Sequence, residues 1–314
     1  MALLPELQAS APDIAALRRD IHAHPELCFE EIRTSDLVAD KLEQWGVATH
    51  RGLGTTGVVG IIHGRDGGKS GRAIGLRADM DALPMQEFNT FEHASRHAGK
   101  MHACGHDGHT AMLLAAAQYL AAHRDSFEGT VYAIFQPAEE GGGGAREMVK
   151  DGLFTQFPMQ AVFGMHNWPG MKAGTMAVGA GPAMASSNEF KIVVRGKGGH
   201  AAMPHMVVDP VPVAAQLIMA FQTIVSRNVK PIEAGVVPQE PSMGAEDFAF
   251  MLMEKPGAYC FIANGDGDHR AMGHGGGPCT LHNPSYDFND ALIPLGATFW
   301  VKLAQRWLAE PTRA

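Results

Sequence analysis

The sequence predicts an α/β fold, a mostly parallel central sheet flanked by helices and interrupted by a small α+β insertion. Short, unbroken apolar runs at 57–63, 73–78, 130–135 and 161–165 have the length and composition of strands buried on both faces. Segments with apolar residues at helical spacing separate or flank these runs, and such alternation builds parallel sheets. Polar residues suited to chemistry fall just after the runs, where ligands of open α/β sheets gather.

Residues 11–46 read as two helices, with Ile14, Leu17 and Ile21 on one apolar stripe and Leu37, Val38, Leu42 and Trp45 on the other. His22, His24 and Pro25-Glu26 form a polar break between them, and Gly46 stops the second. Further helices are expected at 108–123, 144–151 and 289–309. Asp79 and Asp81 close the second strand, Glu139 and Glu140 follow the third, and His166 follows the fourth. Gly179-Ala180-Gly181-Pro182 reads as a hinge. Beyond it, 189–195 alternates like a strand, a glycine-rich turn holds His200, and a helix runs from Asp209 to about Ser226. Near Pro238 a new segment leads into another helix. The expected organisation is one discontinuous domain from 1–180 and 239–314, with 181–238 inserted.

Composition excludes several classes. A net charge of -8 over 314 residues leaves no basic tract to neutralise phosphates, so nucleic-acid binding is not expected. No run of about 18 apolar residues appears, which argues against a membrane helix. The opening Met-Ala-Leu-Leu-Pro-Glu lacks the basic and apolar regions of a signal peptide. Cys28, Cys104, Cys260 and Cys279 are too scattered for a disulfide framework, so a reducing cytoplasm is the expected setting, with Cys28 and Cys260 as small buried apolar residues. Among the 16 histidines, His50, His63, His93, His97, His123 and His269 read as ordinary core or surface residues.

Two phrases carry chemistry. In His102-Ala103-Cys104-Gly105-His106-Asp107 the thiol and the second imidazole are two residues apart, and both can reach one metal ion on a turning backbone. Glu139-Glu140, ahead of four glycines, supplies one carboxylate to hold a metal and a neighbour free to take a proton from water. His166 and His282 offer further imidazoles. The combination reads as a two-metal hydrolase.

The order Leu76-Arg-Ala-Asp-Met-Asp-Ala-Leu-Pro84, His102 to His109, then Gln136-Pro-Ala-Glu-Glu-Gly-Gly-Gly143 resembles the M20 metallopeptidases. Gly164-Met-His-Asn167, Gly198-Gly-His-Ala-Ala-Met-Pro-His205, Met243-Gly-Ala-Glu-Asp-Phe248 and Leu281-His-Asn-Pro-Ser-Tyr-Asp-Phe288 continue the resemblance over nearly the whole chain. It is most similar to the amidohydrolase branch with hippurate hydrolases, N-acyl amino acid aminoacylases and auxin-conjugate hydrolases. The resemblance implies Cys104, His106, Glu140, His166 and His282 as ligands of two divalent metal ions, zinc or manganese, with cobalt or nickel as further candidates. It implies Glu139 as general base and Asp81 as the carboxylate orienting part of the metal shell. His200 matches a lid histidine that meets the substrate carboxylate or the oxyanion, often across a dimer interface. The implied activity is hydrolysis of the amide of N-acyl amino acids, hippurate among them.

One departure stands out. The family's lid is usually a four-stranded sheet with two helices, and here about half of it has no counterpart between Val237 and Pro238. The remnant at 184–237 is expected to hold a strand, the His200 turn, a helix and a second strand near 235–237. It is expected either to be mobile or to form a homodimer through its open edge. Two alternatives follow, a metal-binding protein of impaired catalysis and a dipeptidase or carboxypeptidase on the same scaffold.

Overall fold

The computed structural model describes residues 2–179, 181, 184–185, 191–223, 242–270 and 272–310. The chain separates into two compact units, Met1–Gly179 with Glu246–Ala314, and Ala180–Ala245. In chain order the first unit holds α1 (Pro5–Ala23), α2 (Ile32–Gln44), β1 (Ala48–Leu53), β2 (Gly57–His63), β3 (Ala73–Asp79), α3 (His106–Ala122), β4 (Thr130–Gln136), α4 (Gly144–Lys150), α5 (Leu153–Gln156), β5 (Ala161–Pro169) and β6 (Met176–Ala177). The second unit contributes β7 (Met184–Ala185), α6 (Pro210–Thr223) and β8 (Ser242–Ala245). The first resumes with α7 (Ala249–Glu254), β9 (Gly257–Gly265) and α8 (Ile293–Ala309).

The sheet of the first unit has seven strands in the order β1-β2-β4-β3-β5-β9-β6. Its centre, β4-β3-β5-β9, is parallel and its flanks are antiparallel. Every residue of β3 and β4 is buried, as a sheet covered on both faces requires. The covering is visible at two neighbouring residues of β5. A side chain added at Gly164 would strike Tyr259 and Phe248, whereas Met165 reaches Gly296 of α8. Successive strand residues point to opposite faces, so α7 and α8 cover opposite sides. α1, α3 and α8 pack on one another over the second side, and α3 is buried nearly all round. No helix among the described residues is long and apolar enough to cross a membrane.

Several expectations needed correction. α1 begins at Pro5, which suits a first helical position, and carries Pro12 inside it. Burial of Leu7, Ile14 and Ile21 along one stripe offsets the hydrogen bond that Pro12 removes. His22 belongs to the last turn of this helix and is fully buried, not part of a polar break. β1 and β9 were not expected from the sequence. In the second unit, 191–195 forms no strand, since among the described residues nothing pairs with it; the nearby pairing is the bridge of Lys197 with Val208. The expected strand near 235–237 lies outside the described residues. Val211, Val213, Ile218 and Met219 of α6 are exposed.

Beneath the N-terminal end of α3 lies a buried ionic network. Arg18 pairs with Asp107 (3.3 Å), Asp287 (3.0 Å) and Asp290 (2.8 Å). His22 donates from Nδ1 to Asp107 (2.9 Å) and from Nε2 to Glu87 (3.2 Å). Burial disfavours an imidazolium there, but the Asp107 and Glu87 carboxylates outweigh it and push its pKa from 6.5 up to about 10. A folded-state value above the unfolded one contributes stability below pH 6.5 and loses it as pH rises through about 10. Urea unfolding should therefore show stability falling by a few kcal/mol between these limits, with a flatter dependence in His22→Gln. An equal slope in both proteins would remove His22 as the cause.

Candidate metal centre

The parallel strands bring the chemistry to their carboxyl ends. Asp79 ends β3 and Asp81 follows it, Glu139 and Glu140 follow β4, and His166 lies within β5. Cys104 and His106 flank Gly105, which caps α3 at φ +90°. A side chain at Gly105 would collide with the Asn167 amide and with Tyr286 Oη (2.6 Å), so this approach of α3 to β5 admits only glycine. His282 also takes a left-handed backbone, φ +56°, and its amide donates to Ala103 O at 2.8 Å. A non-glycine residue held in that region stores strain of the kind concentrated at functional sites.

Three overlapping groups of donor atoms gather at one place. They are Cys104, His106 and His166; Cys104, Glu140 and His282; and His106, Glu139 and Glu140, each with its atoms within 4.8 Å of one another. Cys104 Sγ lies 3.3 Å from His166 Nε2, and His282 Nε2 lies 3.1 Å from Glu140 Oε1. His106 Nε2 stands 3.9 Å from Glu140 and 4.0 Å from Glu139. All five residues expected as ligands therefore converge. Cys104, His106 and His166 are buried, Glu140 is half-buried, and the His282 side chain is 54% exposed.

The hydrogen bonds fix which ring nitrogens are free. His106 Nδ1 donates to Asp81 Oδ1 (3.2 Å), leaving the Nε2 lone pair aimed into the cluster. His166 Nδ1 donates to its neighbour's carbonyl, Asn167 O (2.6 Å), so its Nε2 lone pair also faces inward. Burial holds the His166 ring well below the usual imidazole range, neutral as a ligand must be. His106 Nε2 is buried with no hydrogen-bond partner, and Glu140 Oε1 is buried with only the His282 imidazole beside it, at 3.1 Å. A buried imidazole nitrogen without a partner, beside a carboxylate, a thiol and two more imidazoles, is costly without a cation, so the donor set fits divalent metal.

His109 and Asp79 also form a donor group with His106, but His109 is already engaged. Its Nδ1 donates to Asp79 (2.6 Å), and its Nε2 accepts from the Asn167 amide (2.9 Å). Asn167 in turn donates to Cys104 O (2.6 Å) and accepts from Tyr286 Oη (2.6 Å). His109, Asn167 and Tyr286 thus clamp the metal-site backbone, a role that sequence reasoning missed although all three lie inside its motifs.

A second missed group surrounds Glu139. Glu139 Oε1 accepts from Asp247 N (3.4 Å), and burial with the neighbouring Glu246 charge raises its pKa well above the ordinary carboxyl value. Arg77, fully buried, pairs with Asp79 (2.7 Å), Glu246 (3.0 Å) and Asp247 (3.3 Å). Asp81 Oδ2 accepts from Glu140 N (3.0 Å) and from the Cys28 thiol (3.3 Å). Cys28 is therefore only half-buried and hydrogen-bonded to a carboxylate, not the inert apolar residue expected. His200 lies in the second unit, exposed, with its Nδ1 accepting from Ala202 N (3.1 Å).

Residues 75–306 match peptidase family M20/M25/M40. The chain is 34% identical to the hippurate hydrolase of Campylobacter jejuni, with 98% of this chain and 100% of that protein aligned. That alignment runs over 398 positions, more than the 314 residues here, so the Campylobacter protein carries segments without a counterpart in this chain. An N-acyl-L-amino acid amidohydrolase of Geobacillus stearothermophilus is 45% identical over 222 residues, covering 70% of this chain and 59% of that one. Among solved structures, the Bacillus subtilis YXEP protein, described as a dinuclear metal binding peptidase from the M20 family, superposes with a TM-score of 0.72 at 26% identity. The superposition covers 96% of this chain and 99% of that one. With the fold, the donor cluster and these relatives in agreement, the chain belongs to peptidase family M20/M25/M40, on its amidohydrolase branch, and is a metal-dependent hydrolase.

Proposed function

We propose that the chain hydrolyses the amide bond of N-acyl amino acids, hippurate among them, releasing a carboxylic acid and an amino acid. The observation that carries this reading is the convergence of the buried His106 Nε2 and the Glu140 carboxylate with Cys104, His166 and His282, beside a separate carboxylate, Glu139, 4.0 Å from His106 Nε2. The relatives named for hippurate and N-acyl-L-amino acid hydrolysis support the substrate class.

Cys104, His106, Glu140, His166 and His282 would hold two divalent cations, zinc or manganese, with cobalt or nickel as further candidates. Bound there, such ions acidify a water and polarise an amide carbonyl. Glu139 takes the proton from the attacking water and returns it to the leaving amine nitrogen. Its backbone neighbours hold it for this, and Asp247 N donates to its Oε1. Asp81 keeps His106 in the tautomer that presents Nε2. The first unit is proposed as the catalytic part, and the second as a lid remnant whose His200 meets the substrate carboxylate or the oxyanion. A cytoplasmic homodimer joined through the second unit completes the proposal.

Two divalent ions per chain are expected by elemental analysis. Dialysis against a chelator should abolish turnover, and zinc or manganese should restore it. Turnover that survives complete removal of metal would sink the reading.

One observation favours a second reading, in which metal is bound but catalysis is impaired: the relative's segments that this chain lacks. Release of glycine from hippurate, or of amino acids from an N-acetyl panel, supports the first. A metal-loaded protein inert across the panel supports the second.

A further inference from the structure

We propose that Glu31, at the start of α2, is a positioning residue for the reaction: its carboxylate anchors the amide before Glu139 while Asp81 anchors the amide after it. This deepens the reading above and rests on Glu139 being the base.

The chain enters the Glu139-Glu140 turn through Ala138, a non-glycine residue at φ +52°. Opposite it, in the loop between α1 and α2, Phe29 is likewise left-handed at φ +62°. Each such residue costs about 1 kcal/mol or more and persists only where its surroundings impose it. One atom imposes both. Glu31 Oε1 accepts from Ala138 N (2.9 Å) and from Phe29 N (3.0 Å), while Oε2 accepts from Thr56 Oγ1 (2.6 Å). Glu31 is fully buried, and among the described residues its partners are the neutral donors Ala138 N, Phe29 N and Thr56 Oγ1, with no Lys, Arg or His beside it. A buried carboxylate held only by neutral donors is costly to keep, and the metal chemistry itself makes no direct use of it.

On the far side of Glu139, Glu140 N donates to Asp81 Oδ2 (3.0 Å), and Asp81 Oδ1 receives His106 Nδ1. The same short loop reaches this anchor too, because the Cys28 thiol donates to Asp81 Oδ2. Phe29 closes over the turn from above. A side chain at Gly142 would meet Phe29 at 2.5 Å and Ala138 Cβ at 2.7 Å, so the ring packs directly on the glycine run. The peptide groups on both sides of Glu139 are therefore fixed by buried carboxylates from elsewhere in the chain. The side chain between them is aimed by its backbone, which suits a base that must meet one water in one orientation.

Two replacements separate reach from charge. Glu31→Gln keeps the length and an amide oxygen for both backbone donors, and its amino group donates to Thr56 Oγ1. Glu31→Asp keeps the charge but is a methylene too short to span the donors. The expected result is kcat for hippurate lowered about 10- to 100-fold in Glu31→Asp, with KM within about twofold and two metals per chain, and near-normal turnover in Glu31→Gln. Hydrogen–deuterium exchange over 136–144 should be at least about tenfold faster in Glu31→Asp than in the parent and unchanged in Glu31→Gln, since an amide freed from its acceptor opens more often. Exchange needs no substrate, so it tests the anchor even if the substrate reading fails. Equal exchange in all three proteins, or a kcat order with Gln below Asp, would overturn the proposal. Should Glu31→Asp not fold, Thr56→Val, which frees only Oε2, is expected to give the same direction with a smaller change; no change in either readout would overturn it.

Discussion

Glu139→Gln is expected to lower kcat on an N-acyl amino acid by a factor on the order of 10³, with metal content unchanged. Glutamine has the size of glutamate and keeps an oxygen for the Asp247 amide, now 3.4 Å away. It loses only the capacity to carry a proton between water and the leaving nitrogen. Glu139 is not needed to complete a donor group with Cys104, since Glu140 and His282 already do so. Activity should therefore fall while elemental analysis still finds two ions. Loss of both together would mean that Glu139 is a ligand, and retained activity would mean that another group moves the proton.

Arg77→Met should cost about 3–5 kcal/mol of unfolding free energy, the usual effect of breaking a buried ion pair by removing one partner. The guanidinium is nearly unexposed and stands against Asp79, Glu246 and Asp247. Methionine fills much of the space but neutralises none of these carboxylates. Asp247 already shows the strain of the arrangement, since burial pushes it up to about 7 even beside Arg77. Against a total stability of about 5–15 kcal/mol, the loss leaves little margin. Urea denaturation of parent and variant measures it, and a shift below about 1 kcal/mol would show that the cluster is already discharged by protonation. Arg77→Lys should recover part of the loss, because one ammonium reaches fewer carboxylates than the fork of arginine.

The contrast between these two residues explains what the sequence disclosed. Glu139 was legible because its chemistry is local, a doubled carboxylate at the end of an apolar run. The strands at 57–63, 73–79 and 130–136 were legible for a similar reason, as β-rich runs buried on both sides. Arg77 sits inside one of those runs, and its partner Asp247 lies 170 residues later, so nothing nearby marks it as a core residue. β1 was missed because its residues are mostly exposed and polar, as befits an edge strand, with no alternation to read. His109, Asn167 and Tyr286 stood within recognised motifs, but a hydrogen-bond clamp depends on ring orientation, which spacing does not encode. Residues 191–195 show the opposite error, in which alternation was present and, among the described residues, a pairing partner was not.

The position of β9 has a consequence for how the chain comes to be folded. It lies between β5 and β6, although β6 ends at Ala177 and β9 begins only at Gly257. A ribosome has therefore released β5 and β6 long before the strand that joins them exists. During that interval β5 presents a bare parallel edge, the kind of surface that recruits strands from other nascent chains. His282 emerges later still, so the donor cluster cannot be complete before residue 282 has been made. Maturation of this molecule thus waits on segments that lie far from β5 in the chain, and a chain halted before residue 257 is a candidate for chaperones and for aggregation rather than a working half.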